Sequence, residues 1–258
     1  MLEFALPVCL GNIFQLFYSL ADTRIVGSVL GETSLAAVGA TTAVSTLLIG
    51  FLQGLTNGFA IVAAQSFGSG KTERLRKAAA GTLLLGTLTT LAITVLALAG
   101  LEGFLKILNV PETLYAEAKG YIQIVLAGMM VTMLYNACAG ILRAVGDTVA
   151  PLLFLMCAAL LNVGLDILFM AVVPLGVQGA ALGTVLAQLV SVVLSIGYMW
   201  KKYPVFHLKR KDFRIGKAMI KQMYSSGLSM GMMMSLVFFG TLALQCAICL
   251  LYTSDAAD

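Results

Sequence analysis

Residues 150–173 read APLLFLMCAALLNVGLDILFMAVV, twenty-four residues of which one, Asp166, is charged. About 20 predominantly apolar residues carry a helix across a bilayer, so this stretch predicts a transmembrane helix. The same reading repeats along the chain. Apolar segments near 4–30, 33–66, 78–100, 113–142, 177–200 and 219–248 are each long enough to span as well. Several exceed the minimum, and tilt or protrusion past the headgroups is expected. Turn signals part them: Gly31-Glu32, Gly68-Ser69-Gly70, Pro111-Glu112, Gly146-Asp147-Thr148 and Pro174-Leu175-Gly176. The fold class is therefore an all-α integral membrane protein of seven spans.

Composition excludes a soluble domain. Of 258 residues, 60% are hydrophobic and 11% charged, against roughly 25% charged in a water-facing globule. The cysteines Cys9, Cys138, Cys157, Cys246 and Cys249 lie in or beside apolar stretches and read as small buried hydrophobes. The lone His207 sits in a basic loop, which gives zinc or histidine chemistry nothing to build on. No cleavable signal peptide is expected, because the first apolar segment runs past a signal-peptide core and lacks a basic leader. Gln65-Ser-Phe-Gly-Ser-Gly-Lys-Thr72 ends like a phosphate-binding loop. It has Gln where that pattern needs Gly and no soluble strand before it, so it reads as a short turn. With no catalytic constellation, the chain is not expected to be an enzyme, to carry a cofactor or to bind nucleic acid.

Lysine and arginine set the orientation. Lys71, Arg74, Arg76 and Lys77 follow the second span, the turn between the fourth and fifth holds Arg143, and eight more lie between Lys201 and Lys221. The other side shows Lys106 and Lys119. Thirteen against two predicts a cytoplasmic amino terminus in the plasma (inner) membrane. Tyr198, Trp200 and Tyr203 beside Lys201 and Lys202 read as an interfacial belt. Residues 1–200 are thus expected to form a six-helix amino-terminal lobe and 201–218 a basic cytoplasmic loop, with 219–248 opening a second lobe. The final CLLYTSDAAD, 249–258, reads as a translated sequencing adapter, so the native frame is expected to be cut after Ile248. Without Asp255 and Asp258 the formal net charge rises by two from +4.

Two carboxylates sit inside spans, Asp22 and Asp166. A charge at the bilayer centre costs at least about 2.5 kcal/mol, so it faces a wet cavity, has a partner or does work. Both are candidates for proton or sodium coupling. Gly11, Gln15, Tyr18 and Asp22 share one helix face, and Asn162 with Asp166, Gln53 with Asn57 and Thr184 with Gln188 stand four apart. Tyr121 and Asn136 add polar groups to the fourth span. Each pair alone reads as an inter-helix hydrogen bond; together they predict a shared polar cavity. Gly50, Gly54 and Gly58, and Gly179, Gly183 and Ala187, are spaced for close helix packing.

FALPVCLGN at 4–12, LADTRIVGSVLGETSLAAVGAT at 20–41 and GFAIVAAQSFGSGK at 58–71 resemble the multidrug and toxic compound extrusion family, in the branch with DNA-damage-inducible-type and Mep-type members. ILRAVGDTVAPL at 141–152, LNVGLDILFM at 161–170 and GVQGAALGTVLAQ at 176–188 extend the resemblance over nearly all of 1–248. It implies half of a twelve-helix, two-lobe antiporter that is monomeric and exports cationic or amphipathic drugs against H+ or Na+. By position it implies that Asp22 is the coupling acid of the first span and Pro7 its bend. It places Asn162, Asp166 and Thr184 at a cation site, which would hold Na+ if sodium drives transport, with Tyr121 and Asn136 nearby in the cavity. Arg24 receives no role. A lipid-linked saccharide flippase is the nearest rival; its cavity would carry several basic residues, where the sequence offers Arg24.

Overall fold

A computed structural model describes the backbone of residues 2–107 and 111–255, with side chains throughout 44–106 and 111–241 and at scattered earlier positions. Helix α1 covers Leu2–Gly68, α2 Thr72–Ala99, α3 Leu101–Ile107, α4 Glu112–Ala144, α5 Val149–Ile167, α6 Val177–Lys202 and α7 Lys217–Asp255. A π-helical turn, Leu168–Val172, continues α5, and two 3₁₀ turns, Pro204–Phe206 and Arg210–Phe213, join α6 to α7. No strand occurs among the described residues. A backbone buried in hydrocarbon must satisfy its own hydrogen bonds, and helices do so within one segment.

Five segments of the described residues are long and apolar enough to cross a membrane: Val44–Gly68, Thr72–Ala99, Glu112–Ala144, Val149–Val172 and Val177–Lys202. The other two expected spans, 4–30 and 219–248, include residues whose side chains lie outside the description, as does the 249–258 tail. The expected break at Gly31-Glu32 is not seen, because the backbone is helical from Leu2 to Gly68. Even so, Gln15 and Gln53 line one cavity, whereas a straight helix would hold them about 57 Å apart. The chain therefore doubles back within α1, and α1 supplies two spans. The phosphate-loop lookalike is a tight turn closed by Gly70 at φ +68°, and the turn before α5 is closed by Gly146 at φ +90°. Both conformations are ones that side-chain-bearing residues avoid.

The interior is centred on the second half of α1 and on α4, where Leu52, Leu55, Phe59, Met129, Ile141 and Leu142 are fully buried. The outside is equally apolar, with Leu88, Val95, Leu160 and Val193 more than half exposed. Lipid solvates such a surface, so helix association rests on close packing. The small-residue stripes supply it. A Cβ at Gly58 would stand 2.5 Å from Gly227 Cα, and one at Gly54 2.5 Å from the Met230 carbonyl oxygen, so α1 and α7 cross backbone to backbone. A Cβ at Gly179 would stand 2.8 Å from the Phe169 carbonyl oxygen, seating α6 on the end of α5.

Three expectations need correction. Tyr198 and Tyr203 do not form a lipid-facing belt, because both hydroxyls turn inward to Asp147; Trp200, 61% exposed and stacked on His207, alone has that character. Cys9 and Cys157 are exposed, and only Cys138 of the described cysteines is buried. Cys246 and Cys249, which stand at C-x-x-C spacing, lie outside the described side chains. Arg143 is not a loop cation, because its side chain reaches back into the bundle.

Candidate functional site

Polar groups collect in two layers. The inner layer is a pair of adjoining cavities of about 80 and 70 Å³ that share Gln15, Gln53, Tyr135, Asn136 and Leu155. Gln188 lines the first and accepts a 2.6 Å hydrogen bond from Thr132, tying α6 to α4. Pro7 and Gly11 line the second, with Arg143 at its edge. Proline has no N–H to give the preceding turn and favours a bend there. Arg143 Nη2 donates to Asn57 Oδ1 at 3.1 Å, which draws Asn57 toward the cation.

The outer layer lies about 10 Å further along α5, the rise of seven residues from Ala159 to Asp166. Asn162 and Asp166 are both fully buried there. Asn162 Nδ2 donates to Asp166 Oδ1 at 3.1 Å and to Thr184 Oγ1 at 3.3 Å, so one amide joins α5 to α6. That leaves Asn162 Oδ1 buried without a hydrogen-bond partner among the described residues. Such an atom is costly unless something is bound to it. A carboxylate, an amide oxygen and a hydroxyl are hard oxygen donors, the kind that suit a small cation. Gly183 makes the arrangement possible, since a Cβ there would collide with Asp166 Oδ1. The π-helical turn begins two residues after Asp166; such turns recur at functional sites.

The expected site residues thus divide. Gln15, Gln53, Asn136 and Gln188 meet in the inner layer, and Asn162, Asp166 and Thr184 in the outer one. Tyr121 stands apart, packed against Met170, Val177 and Ala180. The side chains of Tyr18 and Asp22 lie outside the described residues. Arg24 is exposed.

Tyr135 and Thr132 were not among the expected site residues, although Thr132 stands four residues before Asn136 and so shares its helix face. Asp147 was read only as a turn residue. Asp147 Oδ2 accepts hydrogen bonds from Tyr198 at 2.8 Å, Tyr203 at 2.8 Å and Lys202 at 3.0 Å, while Oδ1 accepts from the Ala150 N–H at 3.1 Å. Burial pushes its pKa up, but the hydrogen bonds from Tyr203, Lys202, Tyr198 and Ala150 outweigh it and hold the carboxyl below its ordinary value. Asp147 thereby pins the end of α6 to the start of α5.

A family model described as MatE matches residues 7–168. The chain is 27% identical over 243 residues to the probable multidrug resistance protein YpnP of Bacillus subtilis, covering 94% of this chain and 54% of that protein. It is 30% identical over 250 residues to the probable multidrug resistance protein YoeA of the same bacterium, covering 93% and 53%. A crystal structure of MATE in the bent conformation superposes with a TM-score of 0.82 at 27% identity, over 89% of this chain and 51% of that one. The chain spans about half the length of the curated relatives it matches. Because the family match runs through α1, α4 and α5, well over half of the 258 residues, the chain belongs to the MatE family of membrane transporters.

Proposed function

We propose that the chain is the amino-terminal half of an efflux antiporter that expels cationic or amphipathic drugs in exchange for H+ or Na+. The observation that carries this reading is the buried Asn162–Asp166–Thr184 network. Its acid is fully buried, where a charge is expensive, and a transported cation gives it work. In the outward-open state Asp166, with Asp22 on the facing span, takes up the driving cation and so changes its hydrogen bonding to Asn162. Asn162 and Thr184 pass that change from α5 to α6, and Gln188, one turn below Thr184, passes it to the inner cavity. The first span bends near Pro7, the cavity reshapes and drug leaves. Rocking of the two lobes then returns the emptied site to the cytoplasm. Relatives named as probable multidrug resistance proteins support a drug-efflux reading, and a related structure is described in a bent conformation.

Thr184→Ala in the completed gene distinguishes the driving ion. Under proton coupling Thr184 only supports the network, and the variant is expected to keep most transport. Under sodium coupling its hydroxyl is a direct ligand to a hard cation, and transport is expected to be lost. Vesicles with separately imposed proton and sodium gradients read the difference; failure of wild-type vesicles to respond to either gradient would remove the antiporter reading.

The excess of basic residues on that side supports a cytoplasmic amino terminus for the chain in the cell membrane. With Cys9 and Cys157 replaced first, a cysteine introduced at the exposed Leu175 is expected to react with a membrane-impermeant maleimide from outside, and one at Lys209 to stay unlabelled. The opposite pattern would reverse the orientation. A flippase reading has one observation in its favour, Arg143 at the edge of the cavity, but a single cation falls short of a headgroup site.

A further inference from the structure

We propose that the cleft between the beginnings of α2 and α7 holds the headgroup of an anionic phospholipid. The cleft, about 750 Å³ and open to the surface, is lined by Lys71, Arg74, Lys77, Glu73, Met219 and Gln222, among others. Lys71, Arg74 and Lys77 stand three residues apart, on one side of the first turns of α2. Positive-inside bias accounts for basic residues on this side of the membrane but not for three of them facing one cleft.

Charge pairing within the cleft is incomplete. Glu73 accepts Lys77 at 2.8 Å and compensates it. Arg74 donates to the neutral Gln222 Oε1 at 2.8 Å, and Lys71 forms no ion pair among the described residues. Two cations are therefore left to an outside anion. Lys71, the residue before α2, makes no side-chain cap, and Thr72 and Glu73 of the first turn line the cleft, so the positive end of that helix lies at it. The walls are held in place without a ligand. Gln222 Nε2 donates to Gln65 Oε1 at 3.1 Å, fixing α7 to the end of α1. Arg76 lies 3.9 Å from the buried Asp212, fixing the inter-lobe loop to α2.

The apolar surface beside the cleft favours a lipid as the anion. Leu84, Leu88, Leu91 and Val95 recur at spacings of four, three and four, one face of α2, and are 36%, 54%, 52% and 57% exposed. The stripe continues the face of α2 that carries Lys77, seven residues before Leu84, and offers acyl chains an apolar track beside the cleft. A soluble phosphate would have no use for it. Basic groups near a membrane surface favour anionic lipid by about fivefold each. The two uncompensated cations therefore give roughly thirtyfold together. The site depends on the proposed orientation only for which leaflet it faces, and not at all on the transport reading.

The test uses the 258-residue chain in vesicles of phosphatidylcholine and phosphatidylglycerol, extracted and weighed by native mass spectrometry. Wild type is expected to retain phosphatidylglycerol over phosphatidylcholine. Lys71→Gln with Arg74→Gln is expected to lower that preference by roughly thirtyfold, and clearly more than the equally charged change Lys201→Gln with Arg210→Gln, whose cations lie outside the cleft. Thermal unfolding checks that both variants are folded. Should the double variant misfold, Leu88→Ser with Leu91→Ser replaces it and is expected to weaken retention without touching charge. No preference in wild type, or an equal fall in the Lys201/Arg210 control, would overturn the site. Displacement of the lipid by inorganic phosphate would overturn it in favour of a soluble anion.

Discussion

Asp166→Asn, introduced into the completed two-lobe gene, is expected to abolish drug resistance while leaving the protein in the membrane. Asparagine keeps the size of the side chain and still accepts a hydrogen bond from Asn162 Nδ2, which lies 3.1 Å from Asp166 Oδ1. The substitution removes only the titratable charge. Neutralising an acid in hydrocarbon eases insertion by up to about 2.5–3.5 kcal/mol, so lost expression is not the expected route to lost function. A purely structural role predicts instead that Asp166→Asn is tolerated and Asp166→Ala damaging. Resistance plates with a membrane immunoblot distinguish the two, and wild-type resistance from Asp166→Asn would remove this acid from the mechanism.

Gly58→Val is expected to give the largest loss of stability. The added Cβ meets Gly227 Cα at 2.5 Å, the Ser226 carbonyl oxygen at 2.5 Å and Gly227 N at 2.6 Å, all of them backbone. Overpacking a core whose side chains can yield costs about 1–3 kcal/mol. Here the helices themselves must separate, so a cost of about 3 kcal/mol or more is expected. Because Gly54 and Gly58 form the crossing with α7, the damage falls on the junction between the first lobe and the start of the second. Gly197→Ala, on α6 with nothing within 4 Å of its Cβ, is the control and is expected to stay within about 0.5 kcal/mol. Thermal unfolding of the chain in detergent compares them; equal midpoints for Gly58→Val and Gly197→Ala would refute the backbone crossing.

Hydropathy made α5 legible, together with the anomaly of Asp166 inside it, and helical spacing made the Asn162–Asp166 pair legible. Spacing within one helix cannot show which neighbour it meets. Thr184 therefore reached the outer layer only through the family resemblance, and the need for glycine at 183 became apparent only with α6 laid against Asp166. Arg143 was misread because a cation that closes an apolar run looks like a loop residue; a long side chain can turn back and put its charge a full turn away. Asp147 sat between Gly and Thr, a turn composition, and nothing local announced the two tyrosines fifty residues on. The doubling back of α1 was legible as two apolar spans parted at Gly31-Glu32, although the backbone shows no break in the helix there. The π-helical turn after Asp166 left no such signal; it depends on packing against other helices, which a linear pattern does not encode.

Drug-evoked cation movement in proteoliposomes carrying the completed protein is the most direct measure of the coupling claim. A pH-sensitive dye inside, or sodium-22 loaded inside, is followed as drug is added with no gradient imposed. Movement of proton or sodium opposite to the drug is predicted for the wild-type protein and its absence for Asp166→Asn. Equal counterflow in the two, or drug movement in wild type with neither ion following, would contradict it.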